Sequence, residues 1–361
     1  MKRQVTAFAL AWFALSSPAA LADDIWSATA QNLPSPDTHA PAGVMFDHMH
    51  KAGEFMIGYT YNWAGWGGDT LHGTSAVDDE TLMRNACQSN NGGQHCMMKQ
   101  TGMTMQMHML DIMYAPTDWL TVMAMPQWMS MDMSMGMLPM MMPMMMEPME
   151  SMETSGFGDT LFGALVRLAQ GPGYHVHAGL VFSAPTGSVS ERGASGLLYP
   201  YGMQLGSGTW DFRPSLTYTG RQDRWAWGAQ LNGIIRMESE NDEGYRLGNQ
   251  FQATAWGSYR LIDWLSASAR MLYTNQGQVA SNGFVGMGDM PGDFPYNYGG
   301  QFLDVGLGVN AILPEGLGRL GVEWVQPIVD DVNGYQQGRD GTLWVKWSKS
   351  FGAECCSAPL K

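Results

Sequence analysis

Phe55-Met56-Ile57-Gly58-Tyr59-Thr60-Tyr61-Asn62-Trp63 decides the fold. Successive side chains of a strand point to opposite faces. One face of this stretch therefore carries Phe55, Ile57, Tyr59, Tyr61 and Trp63, and the other carries Glu54, Met56, Gly58, Thr60 and Asn62. An aromatic face backed by a small and polar one suits a wall with lipid outside and a polar interior. The pattern recurs in segments of about 9–11 residues, the length of a tilted membrane-spanning strand. It predicts twelve strands, at about 53–63, 104–114, 119–129, 158–168, 174–184, 209–219, 225–236, 248–259, 264–274, 299–311, 319–328 and 342–351.

The connections sort by length. Short ones fall at 115–118, 171–173, 220–223, 261–263 and 314–316, and long ones at 64–103, 130–157, 185–208, 237–247, 275–298 and 329–341. Short periplasmic turns alternating with long extracellular loops are the pattern of outer-membrane barrels; a soluble sandwich has no reason to sort its loops this way. The expected fold is an all-β, transmembrane, antiparallel up-and-down barrel over 53–351, with outer-membrane lipid as its solvent.

Only 14% of residues are charged, against about 25% in a soluble domain, and no apolar run approaches the ~20 residues of a membrane helix. Lys2 and Arg3, the apolar run Val5–Leu15 and Ala20-Leu21-Ala22 have the layout of a secretory signal cleaved after Ala22. The signal thus covers 1–22 and implies export to the outer membrane of a Gram-negative cell. Residues 23–52, whose first part is rich in Pro, Ala, Ser and Thr, read as a disordered periplasmic lead-in. The formal charge is −14, or −16 without Lys2 and Arg3, which argues against nucleic acid as a partner.

Leu343, Val345, Trp347, Lys349 and Phe351 share one face of the last strand, and Phe351 ends it. A terminal aromatic of this kind resembles the signal read by barrel-assembly machinery, although a tail, 352–361, follows. Cys87 and Cys96 lie in one polar segment. A disulfide fits there in an oxidising compartment, and so does thiolate metal ligation, since His95, Met97 and Met98 adjoin Cys96. Cys355 and Cys356 remain unassigned.

Several short segments together resemble the outer-membrane family named for a MetA pathway of phenol degradation. They are Asp47–Glu54, Met113–Leu120, Ser155–Asp159, Pro185–Ser188, Leu205–Asp211 and Tyr245–Asn249. The resemblance implies a barrel transporter and says little about its substrate.

Methionine is the compositional anomaly: about 22 of the 32 lie between Met97 and Met152. The densest part, including Met131, Met133, Met135, Met137, Met140, Met141, Met142, Met144, Met145 and Met146, falls in the expected extracellular loop 130–157. It is similar to the Met-rich stretches of copper-resistance outer-membrane proteins. Thioether sulfur prefers soft Cu(I), and by extension Ag(I), over hard cations, and His48, Met49, His50 and His95 could add ligands. The plainer alternative is that unbranched Met merely fills apolar space.

Strand parity extends the argument. Leu110, Ile112 and Tyr114 outward turn Met105, Met107, Met109, Asp111 and Met113 inward, and Leu120, Val122 and Ala124 outward turn Met123 and Met125 inward. This register sends His108 toward lipid. Arg167, Asp211, Arg213, Gln230, Asn232, Arg236, Gln252, Arg260, Arg270, Asp304 and Glu323 are the further lumenal candidates, since charges within a barrel wall normally face the interior.

No nucleophile motif or phosphate-binding glycine loop is present, so an enzyme is not expected and no cofactor is required. The sequence supports a passive channel linked to soft-metal handling, with Cu(I) or Ag(I) as the bound or transported ion. A channel for small aromatic or hydrophobic solutes is the alternative, and a non-transporting metal-binding surface protein the third.

Overall fold

The computed structural model describes residues 35–89, 92–93, 95–138 and 151–352. The expected signal peptide, residues 23–34, Met140 to Met146, and the tail with Cys355 and Cys356 lie outside them.

The strands are β1 (Phe55–Gly73), β2 (Met98–Thr117), β3 (Leu120–Met125), β4 (Gln127–Met137), β5 (Met152–Phe157), β6 (Thr160–Gly171), β7 (Tyr174–Ala184), β8 (Asp211–Gln222), β9 (Trp225–Arg236), β10 (Gln250–Ile262), β11 (Leu265–Gln276), β12 (Gly300–Ile312) and β13 (Arg319–Phe351). Every pairing among them is antiparallel. Eleven strands close the ring in the order β1, β2, β3, β6, β7, β8, β9, β10, β11, β12, β13 and back to β1. β4 and β5 extend the wall beyond β3 and β6, and the short strand Ser75–Ala76 pairs with β1.

β13 lies on both sides of the closure. Its first arm pairs with β12, from Arg319↔Ile312 to Val332↔Gly300. Its second pairs with β1, from Leu343↔Trp63 to Phe351↔Phe55. Between the arms Gly334 takes φ 57, a left-handed conformation that glycine adopts without strain. The strand therefore supplies two staves, and the barrel has the twelve expected.

The alternation read from sequence is the alternation of the wall. Phe55, Tyr59, Leu110, Tyr114, Val122, Leu180 and Leu216 are exposed on the outside, while Thr60, Asn62, Asp111, Thr217 and Gln230 are buried inside. This is the reverse of a soluble domain and the arrangement a bilayer requires. Trp119, Trp225 and Trp264 follow three of the short turns directly and are exposed, as an interfacial aromatic girdle would be. His108 sits on the outer face, as its parity requires, and its Nδ1 lies 2.6 Å from the Tyr59 hydroxyl.

Three expectations change. First, the loop 130–157 is partly wall: β4 runs to Met137 and β5 starts at Met152, so Met131, Met133, Met135 and Met137 are strand residues. Met129-Ser130-Met131-Asp132-Met133-Ser134-Met135 alternates with period two, and the strand simply continues past the bilayer. β1 and β2 overrun their expected ends in the same way. Second, most of the loop 329–341 belongs to the arms of β13. Third, the lead-in is not a solvated segment where it is described. Val44, Phe46, Asp47 and His50 are buried, because residues 35–50 fill the lumen from the short-turn end. The polar interior offers hydrogen-bond partners to a backbone that has no sheet to join.

Candidate functional site

Plug, central cavity and loop-end pocket together occupy the lumen. The plug is held mainly through its own backbone. Glu323 Oε2 accepts the Gly43 N–H at 2.7 Å. Gln230 Nε2 donates to Met45 O at 2.8 Å, His177 Nε2 donates to Phe46 O at 2.8 Å, and Thr121 Oγ1 accepts from His50 N at 3.1 Å. Phe46 has φ 58, which a bulky residue adopts only when its surroundings hold it there. It belongs to one buried cluster with Met56, Met109, Met113, Met123 and Met125, five of the methionines on inward faces. Thus Met109, Met113, Met123 and Met125, predicted as a lumenal ladder, form the seat of the plug.

The central cavity has a volume of about 630 Å³. The plug residues Gly43 to Phe46, Met107, Met129, Arg213, Arg236, Arg270, Asp304 and Arg339 are among its lining. Arg270 forms a forked pair with Glu323 at 2.7 and 3.2 Å. Arg339 bridges Asp304 at 2.6 Å and Asp330 at 2.5 Å, with its guanidinium 4.5 Å above the Phe302 ring. Arg236 pairs with Asp211. Arg339 was missed because its stretch reads as loop; the charge partners of the others are invisible in sequence.

The loop-end pocket, about 350 Å³, is of different chemistry. Met103, Met105, Met133, Met203, Pro200 and Tyr335 contribute to its walls. Trp66, Tyr298, Gln336 and Gln337 line both spaces and so mark where they meet. Behind the pocket, Met98, Met131, Met133, Met203, Leu205 and Met290 form one buried cluster, with Met103, Met105, Met129, Met135 and Met152 packed against it. The methionines face each other across strands, Met103↔Met133, Met105↔Met131 and Met107↔Met129.

The predicted metal set is thereby divided. Met131, Met133 and Met135 join the loop-end cluster, whereas Met137 and His95 are exposed. His48, Met49 and His50 belong to the plug instead, at the other end. There His39 and His48 flank the buried Asp47, the ligand atoms of the three lying within 4.8 Å of one another. Asp47 is already engaged, by His48 Nδ1 at 2.9 Å, Ala40 N at 3.1 Å and Lys346 Nζ at 3.4 Å. His39 carried no signal in the sequence.

A cap closes over the loop end. Cys87 and Cys96 are disulfide-bonded, and both pack with Leu82, Ala86, Leu138 and Phe294. Asn297 Nδ2 and the Tyr296 hydroxyl donate to Ala86 O, and Met97 N and Met98 N donate to Asp289 O. Within the cap, burial and then the neighbouring Asp289 push the Asp293 carboxyl up to about 7.

The segments behind the family resemblance converge on two knots. Asp159 accepts from Gly187 N at 3.0 Å, Ser207 N at 2.8 Å and Ser207 Oγ at 2.9 Å, joining three of them. At the short-turn end, Gly53 N donates to Ala115 O at 2.8 Å and Ala52 N to Asp118 Oδ1 at 2.9 Å, joining two more. The motifs thus tie loops and plug to the wall.

The structure is similar to an outer membrane channel of Pseudomonas putida F1, with a TM-score of 0.54 and 15% identity over 85% of this chain and 98% of that one. It is more distantly similar to the monoaromatic hydrocarbon channel TodX in its deltaS2 form, with a TM-score of 0.42 and 11% identity over 86% and 93%. A FadL homologue of Pseudomonas aeruginosa gives a TM-score of 0.38 and 11% identity over 88% and 98%. No curated protein matches by sequence. The model of the family described as "Putative MetA-pathway of phenol degradation" matches residues 108–346, which take in nine of the twelve staves whole and parts of two more, and the chain belongs to that family.

Proposed function

We propose that this protein is a passive outer-membrane channel for small aromatic solutes. One observation carries the reading: a loop-end pocket lined largely by methionine, proline and aromatic side chains, with Lys99 and Asn297 among them, adjoins a central cavity of mixed polar and apolar lining through shared residues. Thioether and ring faces receive an aromatic surface, and the polar lumen beyond accepts its hydroxyl. Passage to the periplasm then requires the plug to shift. The family's description, with its phenol pathway, agrees with this solute class. The test is uptake of labelled catechol at low concentration by intact cells with and without the protein, against a sugar of similar size. Several-fold faster catechol entry with no gain for the sugar is expected; equal catechol entry in both strains overturns the reading. No enzymatic step is invoked.

A second reading keeps the soft-metal link, favoured by the facing methionine pairs. Cu(I) or Ag(I) would bind between opposed thioethers. Silver titration of the folded protein and of a Met103→Leu, Met131→Leu, Met133→Leu variant tests it. Leucine keeps the bulk and removes the sulfur, so an unchanged silver stoichiometry rejects this reading.

A further inference from the structure

Four guanidinium groups face the central cavity. Three are neutralised: Arg236 by Asp211, Arg270 by Glu323, and Arg339 by Asp304 and Asp330. Arg213 differs. Its side chain has no hydrogen bond or ion pair with any described residue, and its Nε is buried without a partner. The two nearby carboxylates are committed elsewhere. Asp211 serves Arg236, Thr209 and Ser207; Asp159 serves Gly187 and Ser207. Both carboxylates act on Arg213 through space but neither bonds it, and a buried N–H without an acceptor is costly unless something else satisfies it.

The wall is also built to present this residue. Arg213 pairs with Val181 on β7, but the ladder between β8 and β9 skips from Phe212↔Ile235 to Ser215↔Asn232. Pro214, which lacks an N–H, sits in that gap. Met129, Leu161, Leu205, Ile234 and Leu247 line the same cavity. One guanidinium without a salt bridge among the described residues thus stands in a chamber with an apolar side, of a size suited to a small ligand.

We propose that Arg213 receives the carboxylate of a small aromatic acid in the central cavity. The fork of the guanidinium matches a carboxylate with two parallel hydrogen bonds, and the apolar lining takes the ring. This inference rests on the channel reading and names its substrate class: an aromatic acid, the ring entering through the methionine pocket and the anionic group docking at Arg213.

The test is equilibrium binding of benzoate and its neutral analogue benzamide to the folded, detergent-solubilised protein. Binding is followed by isothermal titration and by quenching of tryptophan fluorescence, since Trp66 and Trp344 line the cavity. Benzoate should bind about tenfold more tightly than benzamide, the scale of a hydrogen bond to a charged group. Arg213→Gln should abolish that preference and leave benzamide unchanged. Arg213→Lys, which keeps the charge and loses the fork, should retain part of it. Equal binding of benzoate and benzamide to the native protein overturns the proposal, as does a Gln variant that weakens both alike. The native comparison decides the matter even if a variant fails to fold as a heat-modifiable barrel. Benzoate binding that depends on Arg213, without aromatic uptake by cells, would reject the channel reading and leave the site standing.

Discussion

Methionines line both ends of the lumen, but the two ends hold their contents by different means. At the loop end, methionines pack in a cluster whose residues interact by dispersion and burial, interactions that are non-directional and tolerant of rearrangement. At the plug end, buried carboxylates, guanidiniums and amides hold one backbone segment through specific hydrogen bonds. Such networks are costly when partly broken. An entrance of soft contacts can adapt to a solute, while a stopper on directional contacts keeps one position until several bonds are exchanged together.

The largest test of this contrast is Glu323→Ala. It strands the buried Arg270 and removes the acceptor of Gly43 N. A loss of about 3–5 kcal/mol in urea unfolding from vesicles is expected, as for other buried pairs broken on one side, with protease now reaching residues 35–50. A loss below about 1 kcal/mol would mean that the plug is not held by its ion pairs.

A smaller effect is expected at the cap. The Asp293 carboxyl, raised to about 7 by burial and by Asp289, favours the folded cap when protonated. That stabilisation is full below about pH 4, the unfolded value, and is lost as pH rises through about 7. After correction for the base-catalysed rise of intrinsic exchange, amide protection in residues 283–298 should therefore fall by up to roughly a hundredfold between pH 5 and pH 8, about 2–3 kcal/mol. Asp293→Asn should flatten the profile; a profile unchanged by Asn would assign the dependence to another group.

The smallest effect is expected in the methionine cluster. Met133→Leu conserves volume and should cost well under about 1.5 kcal/mol. A loss as large as that of Glu323→Ala would erase the contrast between the two ends.

The wall was legible because its signal is local. Phe55 to Trp63 state their two faces by alternation alone, and the same rule placed Arg213, Asp304, Glu323 and the methionines of β2 and β3 inward. The continuation of β4 is equally written in the alternation of Met129 to Met137, but such a density of methionine also reads as a low-complexity loop. The plug was not legible. Residues 35–50 lack an apolar pattern, and composition rules assume that order requires an apolar core; this segment is ordered by donors and acceptors contributed from Thr121, His177, Gln230 and Glu323, far along the chain. The lack of a salt bridge at Arg213 was hidden for a related reason. Parity gives a side chain's direction, but whether a charge is paired depends on neighbours that only the closed barrel brings together.

The Cys87–Cys96 bridge has a consequence for the order of events during maturation. Its partners are nine positions apart, and chain segments of about ten residues close in roughly 10–100 ns. Formation of the bond in an oxidising compartment is therefore limited by thiol chemistry rather than by the search of the chain. The seam between β1 and β13 stands at the other extreme, joining Phe55 to Phe351 across nearly the whole described chain. Long-range pairings of this kind pay loop-closure entropy before any contact rewards them. The crosslinked knuckle of the cap is thus among the earliest landmarks to form and the seam among the last. A chain arriving at the membrane already carries a tied segment wider than a single strand, which must cross the bilayer as the barrel closes around its contents.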